Sequence, residues 1–271
     1  MLLLSLLVIS LVVALSTGKT IPTEVSSFLD FMVNQDGTST PHLIAAGFGV
    51  GMLAALTPVK LILRYFVTVV HELGHAFMAG ALFARPKSIL IHPSSSGLAT
   101  WEIPENWGRI RATLVAAAGY PAPSIASLAA MNAVTQGRTI AWSIFSVGVL
   151  SLAVVLLIRN FWGFLWTSAV IVASYFAYQR VPIDVAGALV AGIAGFLAIN
   201  SIQFAWIQVK LTRFARGSGV DAEAIEHYTR VPSVLVSFGH LAVTVWLGFL
   251  SACMAFDPLK VDMSNLISAL Y

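Results

Sequence analysis

Three side chains able to hold and use a metal ion lie close together in this sequence. His71, Glu72 and His75 form the pattern His-Glu-x-x-His. On an α-helix, residues four apart project from the same face, so both imidazoles can reach one tetrahedral zinc ion. Glu72 is placed to take a proton from a zinc-bound water, and the hydroxide can attack a carbonyl group that the zinc polarises. The spacing therefore predicts metal-assisted hydrolysis.

The surroundings of this pattern are apolar. It lies in the run 62–84, about 15 to 20 Å along a helix from the cationic end at Arg85. Inserting one acid at the centre of a membrane helix costs on the order of 2.5 to 3.5 kcal/mol, and residues that cost this much are functional by default. Gly74, which has no side chain, would let a substrate or a neighbouring helix come close. A functional site is therefore favoured over a chance match.

The elements that position these residues are expected to be membrane helices. Of the 271 residues, 58% are hydrophobic and only 10% are charged, against roughly 25% in soluble domains. The net charge of +3 comes without a basic cluster, so no nucleic-acid partner is expected. The fold class predicted is an all-α membrane protein, a polytopic helical bundle of about seven or eight spans in the lipid bilayer.

The apolar runs have the length of membrane spans. Residues 1–17 form the first run, which is an uncleaved helix or a cleaved signal segment, and a polar loop follows to residue 41. The later runs lie at approximately 42–58, 62–84, 110–132, 139–158, 161–179, 184–209 and 232–256. Residues 257–271 are expected to form a C-terminal tail.

The cations predict the orientation of these spans. Nine of them fall on one face in this topology, namely Arg85, Lys87, Arg109, Arg111, Arg159, Lys210, Arg213, Arg216 and Arg230. Three fall on the opposite face, namely Arg138, Arg180 and Lys260. The positive-inside rule then makes the long connections cytoplasmic. We expect a multi-pass protein of the cell membrane whose active site lies nearer the cytoplasmic side.

Residues 88–101 have a different pattern from the rest of the chain. Two short β-type runs flank the turn Ser-Ser-Ser-Gly, which predicts a small β-hairpin at the cytoplasmic face. An exposed strand edge could bind an extended peptide as another strand, so Ile89, Ile91 and Gly97 are candidate substrate-binding residues. Asn200, in a later span, could also bind a substrate backbone, although such residues more often join helices. The hairpin could equally be a surface feature without a role.

The segment Thr68-Val-Val-His71-Glu72-Leu73-Gly74-His75 in an apolar helix resembles the site-2 protease-like intramembrane zinc metalloproteases, particularly their compact branch without a peptide-binding extra domain. Three further features agree with this resemblance, namely the hairpin with Gly97, the segment Ala118-Gly119-Tyr120-Pro121 and the segment Gly219-Val220-Asp221-Ala222. The resemblance covers roughly residues 42–250. It implies that 42–256 is a membrane-embedded metalloprotease domain with one catalytic zinc ion.

A catalytic zinc needs a third protein ligand and one open position for water. The resemblance implies Asp221, although alanine follows it where the third motif of the family more often has glycine. Asp184 and His227 are alternative ligands. Either aspartate could instead cap a helix, and His227 could be a solvated loop residue. His240, in the last span, is expected to be a hydrogen-bonded core histidine rather than a ligand.

The resemblance also implies the activity, which is hydrolysis of peptide bonds within or next to transmembrane segments of membrane proteins, with Glu72 as the catalytic base. The partner would be a transmembrane or membrane-adjacent protein substrate. The alternative is a transporter or metal-binding membrane protein without protease activity, which predicts acids and histidines spread over several spans. A catalytically silent relative that binds membrane proteins is a third hypothesis.

Overall fold

The computed structural model describes residues 40–104, 107–215 and 217–268. Within these ranges the chain forms nine helices and one antiparallel pair of strands, in agreement with the predicted helical fold and its small hairpin. The first apolar run, 1–17, and the polar loop after it lie outside the described residues. The division of the chain into 1–41, 42–256 and 257–271 stays a prediction.

The elements follow one another along the chain with short connections. The helices are α1 (Pro41–Ala54), α2 (Lys60–Ala81), α3 (Arg109–Ala118), α4 (Pro121–Thr135), α5 (Thr139–Leu156), α6 (Phe161–Arg180), α7 (Ile183–Phe214), α8 (Asp221–Thr229) and α9 (Ser233–Ser268). The strands are β1 (Arg85–Ile91) and β2 (Gly97–Glu102). Helix α2 ends where Phe83 takes a left-handed conformation, with φ 67°, which turns the chain into β1.

Three of the described helices are long and apolar enough to cross a membrane. They are Thr139–Leu156, Ile183–Phe214 and the Ser233–Asp257 part of α9. The pair α3 and α4 counts as a fourth if it is one bent span. Helix α2 is not among them, because its polar motif and the basic residues of its first half lower its mean hydropathy. The chain is thus an integral membrane protein, and the larger number of spans stays a prediction.

The run 110–132, which the sequence predicts as one span, is broken into α3 and α4. The two helices are bent by 57° at Gly119 and Tyr120. Pro121, the first residue of α4, cannot donate a backbone hydrogen bond and its ring would clash with the preceding turn of a continuous helix. The break brings the backbone of Gly119 to the motif helix.

Helix α7 forms the centre of the bundle. Apolar side chains of α1, α4 and α9 pack on it, among them Phe48, Met131 and Ala255. Helix α1 crosses it in backbone contact, because a Cβ atom at Gly51 would lie only 1.8 Å from the carbonyl oxygen of Gly192. Small residues at such crossings let membrane helices approach closely.

The hairpin lies along the motif helix. β1 begins just after the C-terminal end of α2, while the turn is held near the other end, where Arg64 donates to Ser94 O (3.0 Å) and Thr68 to Ser95 O (2.8 Å). Ile89 and Ile91 are fully buried in the core between the hairpin, α2 and α5. The hairpin agrees with the one that the sequence predicts, and the apolar side chains that alternate along β1 are covered by helices. Its position at the cytoplasmic face stays a prediction.

Candidate metal centre

The two motif histidines meet one aspartate from a distant part of the chain. His71 Nε2 and His75 Nε2 lie 3.2 Å apart. Asp221 Oδ2 lies 3.3 Å from the first and 3.1 Å from the second. We call His71, His75 and Asp221 the ligand group. Among the described residues it is the one group of His, Cys, Asp and Glu side chains arranged so that it could hold a metal ion.

The separations within the ligand group fit a tetrahedral zinc ion. With zinc to nitrogen and oxygen bonds of about 2.0 to 2.1 Å, two ligands at a tetrahedral angle lie about 3.3 Å apart. The three observed separations are close to this value. His71 and Asp221 keep 16% and 24% of their side-chain surface exposed, so the fourth position is not sealed by protein.

The hydrogen bonds of the ligand group also call for a cation. His75 Nδ1 lies 2.7 Å from the carbonyl oxygen of Val115 in α3, which can only accept, so Nδ1 carries a proton and, in the neutral imidazole that binds metals, Nε2 presents a lone pair. That lone pair faces Asp221 Oδ2, a buried oxygen that accepts no well-formed hydrogen bond from a described residue. Two acceptors held this close repel each other, and a metal ion between them turns the repulsion into attraction.

Glycine at position 119 lets the α3–α4 break reach both histidines. A Cβ atom there would lie 2.3 Å from His75 Nε2 and 2.7 Å from His71 Cε1, which no side chain could occupy. Gly74 meets the same break from the other side, where its Cβ would lie 2.6 Å from that of Ala122. The two glycines together allow α2 and the broken helix to pack at backbone distance.

Asp221 is the first residue of the short helix α8, and Glu223 of the same helix holds the loop in front of it. The side chain of Glu223 accepts hydrogen bonds from the backbone N–H groups of Gly217 (2.9 Å) and Gly219 (2.8 Å). Both glycines have positive φ, at 85° and 73°, which fits the tight loop before α8. Glu223 thereby fixes the loop before α8. No side chain caps the start of α8, and the carboxylate of Asp221 points to the two histidines.

The other candidate ligands lie away from this group. Asp184 is exposed in the first turn of α7, and His227 is exposed on α8, where its ring contacts Tyr228. His240 is buried and its Nδ1 is 2.9 Å from Gln208 Oε1, as expected for a hydrogen-bonded core histidine. Asn200 is also buried, and its amide donates to Phe196 O of its own helix. Of the alternatives for the third ligand, the geometry favours Asp221.

Glu72 lies beside the ligand group and under the hairpin. Its side chain is only 5% exposed. A Cβ atom at Gly97, the first residue of β2, would lie 2.4 Å from Glu72 Oε1. Ala99, two residues along β2, has its backbone N–H on the side of this carboxylate. β2 therefore forms one wall of the site, and a glycine at its start is what leaves room for the glutamate.

The two edges of the hairpin differ. The outer edge of β1 is occupied, because Ile89 N donates to Leu157 O (2.8 Å) and Arg159 N donates to Ile89 O (3.2 Å). The Asn160 side chain continues this pairing by accepting from Ile91 N (3.1 Å) and donating to Ile91 O (2.6 Å). Since Ile89 and Ile91 bond outward, their partners Ala99 and Gly97 also direct their backbone groups to the outer side of β2. That side faces Glu72.

Several residues that build the site carry no local signal in the sequence. Val115 acts through its carbonyl oxygen, which any residue could supply, and Asn160 acts from a connection far along the chain. Gly119 stands in a segment that the family resemblance includes, but its contact with both imidazoles depends on the bend before Pro121. A glycine followed by a residue and a proline inside a long apolar run is the signal that could have indicated such a bend.

The family model described as "Peptidase M50B-like" matches residues 44–251 of this chain. The matched range contains the ligand group, Glu72 and the whole hairpin. No curated protein and no solved structure matches the chain in the corresponding comparisons.

Proposed function

This chain belongs to the Peptidase M50B-like family, a family of site-2 protease type, and on that premise we propose that it is a zinc-dependent endopeptidase that hydrolyses peptide bonds within or next to transmembrane segments of membrane proteins. The observation that supports this most is the ligand group, whose three atoms lie within 3.3 Å of one another beside the buried Glu72. The proposal includes a location in the cell membrane, about seven or eight spans and a site nearer the cytoplasmic side.

The proposed roles follow from the chemistry of each side chain. His71, His75 and Asp221 would hold one zinc ion, which when bound lowers the pKa of water and polarises a peptide carbonyl. Glu72 would accept a proton as the water oxygen bonds to the carbonyl carbon. The same carboxyl group would then donate that proton to the peptide nitrogen as the carbon–nitrogen bond breaks, so that an acid and an amine leave.

The substrate segment is proposed to bind as a strand on the outer side of β2. The edge of β1 is already paired, whereas Gly97 and Ala99 direct backbone groups toward the side where Glu72 lies. A strand added there would carry its own carbonyl groups past the carboxylate. Among the candidate substrate-binding residues, Ile89 and Ile91 have side chains buried in the core and Asn200 bonds its own helix, so Gly97 is the one that we retain.

Replacing Glu72 by Gln tests the activity. The protein would be assayed in proteoliposomes on single-span reporter proteins whose spans contain helix-breaking residues, and its zinc content would be measured by atomic absorption. Glu72→Gln should keep zinc and lower cleavage by roughly 100- to 10,000-fold, the contribution typical of a general base. Asp221→Ala should lose zinc as well as cleavage.

The matched control is Glu102→Gln at the far end of β2. Glu102 is exposed, and the ammonium group of Lys87 lowers the pKa of its carboxyl group. This variant should cleave as the unchanged protein does. Cleavage by Glu72→Gln at the rate of the control would show that Glu72 is not the base.

The transporter alternative expects acids and histidines distributed along a path. In the part of the chain that the structure describes, the arrangement is instead one compact ligand group with one adjacent buried glutamate. This arrangement favours the peptidase.

A further inference from the structure

A second polar cluster lies next to the ligand group and has no part in the proposed chemistry. It consists of Tyr120 at the α3–α4 break, Gln208 of α7 and His240 of α9. Gln208 is completely buried and His240 is 7% exposed. Three separate elements thus bring polar or aromatic side chains to one place in an otherwise apolar bundle, where burying them is costly.

The members of this cluster form a chain of contacts that ends on a metal-ligand candidate. Gln208 Oε1 accepts a hydrogen bond from His240 Nδ1 at 2.9 Å. The rings of His240 and Tyr120 are stacked, with centroids 5.2 Å apart and planes at 13°. Tyr120 in turn contacts the ring of His71 edge to face, with centroids 4.9 Å apart and planes at 88°.

The two motif histidines are oriented by different means. His75 is fixed by the hydrogen bond between its Nδ1 and the Val115 carbonyl. Among the described residues, none forms a hydrogen bond with Nδ1 of His71. The His71 ring is instead packed between Tyr120 and the ring of His75. The Tyr120 ring therefore supports His71, as the Val115 carbonyl supports His75.

A glutamine is unfavourable at this buried position unless its hydrogen bond has a role. Its Nε2 is buried without a hydrogen-bond partner among the described residues. Leucine has a similar volume and would leave no donor unsatisfied, so packing alone would favour it. The oxygen of Gln208, by contrast, fixes both the tautomer and the ring plane of His240.

We propose that His240, held by Gln208, is a positioning residue of the metal centre that acts on His71 through the ring of Tyr120. This inference rests on the proposed function, because it takes His71 to be a zinc ligand. The hydrogen bond from His240 to Gln208 fixes the plane of the His240 ring. The Tyr120 ring stacks on His240 and takes the same orientation. The edge contact between Tyr120 and His71 then sets the direction in which His71 Nε2 points.

Zinc affinity, measured by competition with a chelating dye, tests this without relying on cleavage. Loss of a residue that orients a metal ligand typically weakens binding by about 10- to 100-fold. His240→Ala and Tyr120→Leu should each show a loss of that size, and Tyr120→Phe, which keeps the ring, should stay within about twofold. In the Co²⁺-substituted protein, the visible absorption bands should shift for His240→Ala and Tyr120→Leu only, because these bands report ligand geometry.

The control is Thr244→Val, one turn further along α9. Thr244 is buried and bonds the backbone of its own helix, so this variant should bind zinc normally. If His240→Ala does not fold in detergent, the pair Tyr120→Leu and Tyr120→Phe decides the question. The positioning role would be overturned if Tyr120→Leu, or a folded His240→Ala, kept both its zinc affinity and its Co²⁺ spectrum. Zinc binding and cleavage by the parent protein would still support the peptidase in that case. A parent protein that binds no zinc would overturn both.

Discussion

Two glycines determine whether the residues of the site can approach one another. Gly119 places the backbone of the α3–α4 break against both imidazoles, and Gly97 places β2 against Glu72. Neither residue supplies a functional group. Their contribution is to omit a Cβ atom where the space is already taken by a histidine or a glutamate.

Gly97→Ala should abolish most of the activity without unfolding the protein. The added Cβ atom would meet Glu72 Oε1, Cγ and Cδ at 2.4 to 2.8 Å, so the carboxylate or the strand must move. A displacement of this order costs about 100-fold in rate when it misplaces a catalytic group. Zinc content should not change, because the ligand group is untouched, and cleavage and zinc would be measured on the same preparation.

Gly108→Ala provides the comparison, since a Cβ atom at Gly108 has no neighbour within 4 Å. Equal activity of the two variants would mean that Glu72 does not need its observed position.

At the residue level, the His-Glu-x-x-His pattern alone predicted two metal ligands and the catalytic base, because helical periodicity fixes the relative positions of three residues within about one turn. The position of Asp221 could not be obtained in this way. It stands at the start of α8, behind a loop that Glu223 holds by two hydrogen bonds, and such a long-range arrangement is not encoded in residue spacing.

At the scale of elements, the hairpin depends on one side chain from the α5–α6 connection. Asn160 offers its amide to Ile91 as a strand neighbour would, with one donor and one acceptor. This closes the edge of β1 where the backbone pairing with residues 157–159 ends. Among the residues that the structure describes, no strand pairs with the outer side of β2, which lies toward the site.

Asn160→Ala should loosen the hairpin and lower activity while zinc stays bound. Two hydrogen bonds to Ile91 would be lost, each contributing about 0.5 to 1.5 kcal/mol. Amide hydrogen exchange, followed by mass spectrometry, should become faster in peptides that cover residues 88–92. Asn132→Ala is the matched control, because the Asn132 side chain accepts from Gln136 on the exposed face of its own helix. Identical exchange in both variants would exclude this role of Asn160.

The contact between α1 and α7 is a second arrangement of elements that tolerates little change. Gly51→Ala would place a Cβ atom 1.8 Å from Gly192 O, which forces the helices apart. Overpacking of this kind typically costs about 1 to 3 kcal/mol, so the melting temperature in detergent should fall.

Gly49→Ala, two residues away on the same helix, has no atom within 4 Å of the new Cβ. It should keep or raise the melting temperature, because alanine favours helix over glycine. A drop of equal size in both variants would indicate a general sensitivity of α1 rather than a close crossing.

Most of the helices could be predicted from the sequence, but the break within one of the apolar runs could not. Apolar runs in the sequence correspond to α1, α2, α5, α6 and α7 within about five residues, because membrane helices satisfy their own backbone. The run 232–256 corresponds to α9, which continues to Ser268, and α8 lies in none of the apolar runs. The run 110–132 was predicted as one span although Pro121 lies inside it. Proline kinks are common in membrane helices, so the residue alone does not distinguish a kink from the 57° break that the packing against α2 requires.

At the scale of the molecule, the distribution of cations predicts an orientation that labelling can test. In a Cys253→Ala background, Lys87→Cys and Arg138→Cys would each carry one exposed thiol. The positive-inside rule expects position 87 on the cytoplasmic side and position 138 on the other. In sealed inverted vesicles, a membrane-impermeant maleimide should label the first variant and not the second. Labelling of both variants from the same side would refute the proposed topology.

The wide separation in sequence between the motif helix and Asp221 has a consequence for biosynthesis. A ribosome releases the histidines and the glutamate into the membrane long before it makes α8, and the nascent chain then holds two ligands without the third. The order of synthesis thus delays assembly of the proposed zinc site until α1 through α7 have been made. On the proposed function, a newly made molecule could not cleave neighbouring proteins before Asp221 has been synthesised.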